Sequence, residues 1–511
     1  MRTSCPLRRV RPRFRPECLT LAAMAMFLLA TARMATAIPV EAGDARSVVD
    51  AWLRSAKAGT VTIAWQDEIR AEGRVVAWVC GLAPAGHLIV SADTDLPPVV
   101  AYSFESPCPQ VGLAGSPLAR LVAADLASRL AARDRLAPAV ADAQAAQWRA
   151  LLAGAPPPRA QRFEQWPPDG ATPTGGWLTG SWTQNAPYNA MCPLDLAHGG
   201  SRSLAGCPSV AMAMILDYRR TLEGTKLDPS DRYRHAYAGN VFWVPDAAAQ
   251  YGFPDFETLN GHLESVALHW NLGTPLTSTD RAALVFACGV AAHQVYSAAG
   301  SGTFGVSQAH DAYVRFGFGY ACRLLTDADP ELYATLASNM RQARPAHLAV
   351  VDPGWTMGHN LVVDGWNTDD YFHLNFGWGG SYNGWYRLPQ GMPYGLTVVE
   401  GVIVDIVPAV AGVGDDGGVT RAMALACAPN PFNPRTTIRL TSASTVEGDL
   451  RVFDVRGRLV VELYRGRFDD GVNRFTWEGR DARGRACSSG AYWVQARVGG
   501  SRALQKLVLL R

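Results

Sequence analysis

Hydrophobic and polar positions along the chain fall into three patterned blocks, separated by stretches with no apolar periodicity. The first, residues 38–153, opens with Val48, Val49, Trp52 and Leu53 spaced along one face of a helix. Short runs of alternating polarity then predict strands, and a long Ala/Leu/Arg-rich helix closes the block. Gly154-Ala155-Pro156-Pro157-Pro158 and the Pro/Gly/Thr-rich span 166–176 predict an extended, exposed linker over 154–176, open to proteases. The second block, 177–407, is rich in Trp, Tyr and Gly. In it Gly206-Cys207-Pro208 precedes the apolar run Val210–Leu216, which predicts a helix starting near Cys207, because proline is favoured in a first helical turn. Near its end His359–Asp364 and Tyr371–Phe376 alternate as strands about a turn at Asn367–Asp370. A Gly- and Asp-rich linker, 408–423, leads to the third block, 424–511. Turn signals there at Arg456-Gly457, Asp470-Gly471, Arg483-Gly484 and Gly499-Gly500 predict six or seven short strands in a small β-sandwich.

Composition adds a destination. The 511 residues suffice for about three domains, and 48% hydrophobic content supplies ample core. Six arginines precede residue 19 against the single Glu17; the apolar run Leu19–Ala30 and Ala35-Thr36-Ala37 follow. These are the marks of a secretory signal over 1–37, and the run is shorter than the roughly 20 apolar residues needed to span a bilayer. The net charge of +2 conceals a division: 161–419 carries 13 basic against 24 acidic residues, and 420–511 carries 16 against 8. Near neutrality overall argues against a nucleic-acid partner, whereas the basic tail suits attachment to an anionic cell envelope that salt would weaken.

Export changes how the cysteines read. Eight remain beyond the signal, at 80, 108, 192, 207, 288, 322, 427 and 487, and outside the cytosol Cys80–Cys108 and Cys427–Cys487 are candidate bridges. No C-x-x-C, H-E-x-x-H or G-x-S-x-G occurs, so zinc, thermolysin-like and serine-hydrolase chemistry lose their usual signatures; no metal or organic cofactor is expected. Gly300–Gly305 fits G-x-G-x-x-G without a βαβ context, which predicts a flexible loop rather than a dinucleotide site. A helix N-terminus beside a histidine favours a thiolate, and Cys207 stands at such an N-terminus. His359 lies 152 residues on, with Asn375 on the next strand and Gln184 upstream. In a Cys–His mechanism these would serve as nucleophile, general base and acid, orienting amide and oxyanion donor. Spacing alone leaves Cys207 open as a buried or disulfide-bonded thiol and His359 as a core histidine.

The wording of the second block goes further. Gly180–Asn189 with Cys192-Pro193, Gly206-Cys207, Cys288–Ala291, Gly358-His359-Asn360-Leu361-Val362-Val363-Asp364-Gly365 and His373-Leu374-Asn375-Phe376-Gly377-Trp378-Gly379-Gly380 resemble, in order, the streptopain family of cysteine peptidases. That resemblance implies an α+β protein with a papain-like catalytic domain. Within it Cys207 is the nucleophile, His359 its base, Gln184 the oxyanion donor, Asn375 the orienting amide, and Trp378 the tryptophan packed on the histidine. Pro208 and Asn360 depart from the family wording, which has Ala after the histidine. Gly86–Asp93 and Val99–Ser103 resemble the family's prodomain, which implies that 38–153 inhibits the enzyme until the linker 154–176 is cut. The last block resembles the Ig-like domain of flagellar hook-capping and type IX secretion sorting type, in Pro429–Pro434, Val452–Arg458 and Ser489–Tyr492. The expectation is a secreted or surface cysteine endopeptidase made as a zymogen, working through a thioester acyl-enzyme. Its partners would be protein or peptide substrates, its own prodomain, and the cell envelope or secretion machinery. The rival readings are a Cys–His acyl transferase or amidase, and a silent surface adhesin or inhibitor.

Overall fold

The computed structural model describes residues 38–509 apart from 57–59, 111–112, 159–161, 221, 223–225, 319–321, 352–357, 389–398, 408–422, 429–431, 443–444, 455–457, 470 and 499–500. The expected signal, nearly all of the linker 408–423, and the tail turns at 456–457 and 499–500 lie outside the described residues. In the first block the helix Ala42–Ser55 buries Ala45, Val48, Val49, Ala51 and Leu53. Four antiparallel strands follow: β1 Thr62–Ala71, β2 Arg74–Ala83, β3 His87–Ser91 and β4 Val99–Ser103. The expected single long helix is two, Pro117–Ala132 and Pro138–Leu152. Pro138 is the reason: the residue before a proline is pushed out of the helical region, and Ala137 sits at φ −59°, ψ 136°.

The second block contributes β5 Gln165–Trp166, the small ribbons β6 Leu194–Asp195 with β7 Ser201–Arg202 and β8 Tyr233–Tyr237 with β9 Asn240–Val244, then β10 Arg323–Leu325, β11 Ala346–Val351, β12 Gly358–Asn367, β13 Phe372–Asn375, β14 Gly384–Tyr386 and β15 Val399–Val404. Its principal helices are Cys207–Arg219, Phe256–Leu272, Ser278–Ala291, Val306–Tyr313 and Leu332–Arg341.

The two blocks share one sheet. Its order is β1-β2-β3-β4-β14-β13-β12-β11-β15-β10, with Tyr102 opposite Trp385 and Ala101 opposite Tyr386 where the blocks meet. The Cys207–Arg219 helix and its neighbours pack on one face, over Ala349, Val362 and Ile403. On the opposite face the Pro117–Ala132 and Leu332–Arg341 helices share one core with Leu348, Val350, Leu361, Leu374 and Phe376. Buried Arg129 of that helix ties the blocks again, donating from Nη2 to the carbonyl of Arg387 at 2.8 Å.

The second half of the expected exposed linker is anchored at both ends, at 164–166 and at 176–178. Trp166 pairs with Trp366 in the sheet and stacks on it at 5.5 Å, while Thr368 N donates to Glu164 O at 2.9 Å. Trp177 N donates to the carbonyl of Asp364 (2.7 Å) and Leu178 N to its carboxylate (2.9 Å). That carboxylate is fully buried with His373, Oδ1 to Nδ1 2.6 Å, and a Cβ on Gly176 would overlap both side chains. Sequence periodicity misses this because the partners of 164–178 lie about 200 residues away.

The tail forms two antiparallel sheets, β16 Met423–Ala428, β17 Thr436–Ser442 and β20 Gly471–Trp477 in one, and β18 Val446–Asp454, β19 Leu459–Phe468, β21 Gly490–Val498 and β22 Ser501–Leu509 in the other. Phe432, Ile438, Leu450, Phe468, Trp477, Val494 and Leu507 fill the core between them. No disulfide joins any of the eight described cysteines. Cys80 and Cys108 belong to different cores, so that candidate bridge has its two sulfurs on separate packing faces. Cys427 and Cys487 both border the tail core unbridged.

A protease must draw its substrate into an extended, accessible strand, which docked backbone resists. Limited trypsin or elastase digestion should therefore cut within 154–163 and leave 164–178 on the larger fragment. N-terminal sequencing of that fragment checks it; a first cut within 164–176 contradicts the docking.

Candidate active site

Cys207 is the first residue of its helix, so its sulfur sits among backbone N–H groups that have no partner within the helix. Pro208 in the same turn costs no hydrogen bond there. Gly206 caps the helix at φ 85°, ψ 134°, a backbone that residues with a Cβ rarely adopt, and a Cβ would stand 2.5 Å from Gln294 Oε1. The approach to the helix is pinned from several sides. Ala205 N donates to Gln184 O (2.9 Å), Gln294 Nε2 to Ala205 O (2.7 Å), Asn189 Nδ2 to Ser203 O (2.9 Å) and Leu204 N to Ser297 O (3.1 Å). Gln184 is thus anchored beside the segment that presents Cys207. The glycine-rich stretch after Ser297, expected to be flexible, is an ordered turn. Ala298 N donates to buried Asp195 (2.8 Å), Gly300 N donates to Ser297 Oγ (3.0 Å), and Gly302 bridges to Val295.

The turn after β13 closes on the same place. Gly377, at φ 66°, leaves no room for a Cβ against Val210 of the Cys207 helix, and Gly379 N donates to Trp182 O at 2.7 Å. Asn375 pairs with Val362, which faces the Cys207 helix, so its side chain points to that face too. Its Oδ1 accepts from Gly377 N at 3.2 Å, and its buried Nδ2 has no partner among the described residues.

His359 is placed differently. Residues directly opposite in an antiparallel pair share a face. His359 opposes Val350, which lies in the core under the Pro117–Ala132 helix, whereas Asn360 opposes Ala349, in the core of the Cys207 helix. The imidazole therefore turns away from Cys207. Its Nε2–H donates to the carbonyl of Phe376 at 2.9 Å, and its ring lies 4.5 Å from that of Trp378. The expected contact with Trp378 is present. The amide of Asn375 does not hold the ring; the carbonyl one residue on does, because the strand period sends the Asn375 side chain to the other face.

Asn360 occupies the vacant side. Its backbone N–H and side-chain amide act to lower the pKa of the Cys207 thiol, yet burial outweighs them and holds the thiol above its ordinary value. Asn360 Oδ1 in turn accepts from His347 Nε2 (2.7 Å), and Tyr313 OH donates to His347 Nδ1 (3.2 Å). Burial pushes His359 down to about 4 against the raising effect of the Phe376 carbonyl, with His347 lowering it slightly. Thiol and imidazole are both neutral at pH 7. Nothing in the sequence marks His347, Tyr313 or Gln294 as neighbours of this site. Among the described residues no group of three or more His, Cys, Asp or Glu side chains is placed to hold a metal ion.

Residues 182–386 match the Peptidase C10 family. The middle block belongs to that family. This chain is 24% identical over 224 residues to the thiol protease/hemagglutinin PrtT of Porphyromonas gingivalis, spanning 40% of this chain and 23% of that one. It is 23% identical over 236 residues to streptopain of Streptococcus pyogenes, spanning 42% of this chain and 55% of the relative. The chain thus spans about a quarter of the first relative and about half of the second. Among solved structures, a fragment of Prevotella intermedia prointerpain A aligns over 67% of this chain and 98% of its own, with 19% identity and a TM-score of 0.44. Active interpain A covers 45% of this chain at 23% identity, with a TM-score of 0.34.

Burial also makes the fold pH-sensitive. His87, His347 and His359 are each lowered from 6.5 to about 4, chiefly by desolvation. Below pH 6.5 the unfolded chain takes up protons that the folded C10 protein refuses until about pH 4. Stability from these groups is therefore complete above 6.5 and is lost as pH falls from 6.5 through 4. Urea midpoints of the uncut chain should decline steadily over that window; a flat profile between pH 6.5 and 4 contradicts the burial of the three rings.

Proposed function

We propose that this chain is an exported cysteine endopeptidase made as a zymogen. The observation that carries the reading is the convergence, at one helix N-terminus, of Cys207 with the Gln184 segment and the turn 375–380, whose Trp378 packs on His359. In the reaction His359 takes the Cys207 proton as the sulfur adds to the scissile carbonyl. The oxyanion is held by the Cys207 N–H and the Gln184 amide. The imidazolium returns the proton to the leaving amine, giving a thioester; His359 then deprotonates water, which hydrolyses the thioester and frees the sulfur. Membership of the C10 family supports this assignment over an acyl transferase or a silent adhesin.

The arrangement described is read as the latent one. With His359 on the far face, no histidine stands beside the thiol among the described residues, and the Pro117–Ala132 helix shares the core on the face the imidazole occupies. Residues 38–153 act on this reading as an inhibitory prodomain, the segment around 154–163 as its processing site, and 1–37 as the export signal. The basic tail is read as a folded anchor or sorting domain at the cell surface.

Casein cleavage tests the assignment. After processing, wild type should release new amino termini and be blocked by a thiol-directed epoxide bound at Cys207. Cys207→Ala and His359→Ala should lose at least 1,000-fold in kcat/KM, and Gln184→Ala roughly 100-fold, the usual cost of one oxyanion donor. Cleavage that survives in Cys207→Ala refutes the reading.

A further inference from the structure

We propose that Asn360 is a latch, clamped by His347 and Tyr313, that keeps β12 in the conformation where Cys207 lacks its histidine. The inference rests on the reading of Cys207 and His359 as the reacting pair. Bringing His359 to Cys207 means turning the first residues of β12 over, and Asn360 opposes that turn. It sits opposite Ala349 on the face of the Cys207 helix, and its Oδ1 accepts the His347 Nε2 proton at 2.7 Å. His347 is itself fixed. The ring is fully buried on the helix face, and it stays neutral with Nδ1 accepting from Tyr313 OH, so Nε2 carries its single ring proton. Turning Asn360 away would strand that N–H in an apolar core, a desolvation cost with nothing to offset it.

The destination is equally unfavourable while the N-terminal block stays in place. Turned over, Asn360 would project its amide into the face formed by Val350, Leu361 and Phe376 beneath the Pro117–Ala132 helix. A primary amide enters such a core only at a cost, but it meets water once the helix has left. Asn360 therefore couples the departure of the N-terminal block to the arrival of His359 at the thiol. Alanine at this position would carry neither the tether nor the penalty, and the two states would lie closer in energy.

The test measures epoxide labelling of Cys207 in full-length, uncut chains, resolved from cut material by intact mass spectrometry, with cut wild type as reference. Cut wild type should label fast and uncut wild type slowly. Uncut Asn360→Ala should label at least tenfold faster than uncut wild type, and uncut Tyr313→Phe, which keeps the ring but frees His347, should fall between them. If cut wild type labels fast while uncut Asn360→Ala and Tyr313→Phe both match uncut wild type, the latch is overturned and the assignment of the site stands. If cut wild type does not label at Cys207, the assignment fails and the latch with it. Should Asn360→Ala not fold, as judged by far-ultraviolet circular dichroism, Tyr313→Phe decides alone, and a rate equal to uncut wild type overturns the latch.

Discussion

Side chains along a strand alternate between faces, and β12 cannot escape that period. Val362 must face the Cys207 helix because it completes that core, which sends Leu361 and Val363 to the opposite side. His359, two residues before Leu361, follows Leu361; Asn360 follows Val362. A slip of the whole strand by one residue would expel every apolar side chain from its proper face. The histidine can therefore change sides only if the first residues of β12 come loose locally, giving up little more than the pairs with Val350 and Ala349. Placing His359 and Asn360 at the strand's beginning confines the change to an end that can untie while the ladder beyond stays whole.

The N-terminal block bears on this end of the strand by finishing the sheet, not by plugging a hole. Leu348, Val350, Leu361, Leu374 and Phe376 share a core with the Pro117–Ala132 helix, and β14 has β4 as its hydrogen-bonded neighbour. Fully burying one such side chain is worth about 1.5–3 kcal/mol. Cutting the backbone at 154–163 removes none of that burial. On the proposed zymogen reading, proteolysis is thus a permissive event, and separation of the block a second one. The docked strap 164–178, tied to Asp364 and Trp366, belongs energetically to the C10 domain.

Some of this was legible in the chain and some was not, for definite reasons. The helix starting at Cys207 was, because Gly206 and Pro208 punctuate it locally. The two strands around 359 and 372 were, because alternation survives in their residues. The single long helix expected at the end of the first block failed at Pro138, a local signal weighed too lightly against the apolar run. The face on which His359 sits could not be read, since alternation gives relative faces and only the pairing with β11 gives the absolute one. The same limit displaced Asn375 from its expected contact with the imidazole. His347 and Tyr313 lie 13 and 47 residues before Asn360, with nothing in spacing or composition to join them. The linker looked exposed because its Pro/Gly/Thr wording is that of loops, while its anchors, Trp366 and Asp364, are remote in sequence.

On the proposed reading of Cys207 and His359 as the reacting pair, the protonation states explain why geometry alone can silence the site. Burial raises the Cys207 thiol and lowers the His359 imidazole, so each is held in its uncharged form by the same cause acting on opposite charges. A reactive thiolate–imidazolium pair needs both shifts reversed, and neither group can reverse its own. Only the opposite charge beside it can do so, and that requires His359 on the helix face, where the helix N-terminus adds to the stabilisation of the thiolate. Moving one side chain across the sheet therefore changes two titrations together. The pKa of about 4 for His359 belongs to the turned-away ring, and opposite Cys207 the pair would titrate as a unit. Asn360 brings polar N–H groups to that face but no charge, and its lowering effect is too little to ionise the thiol.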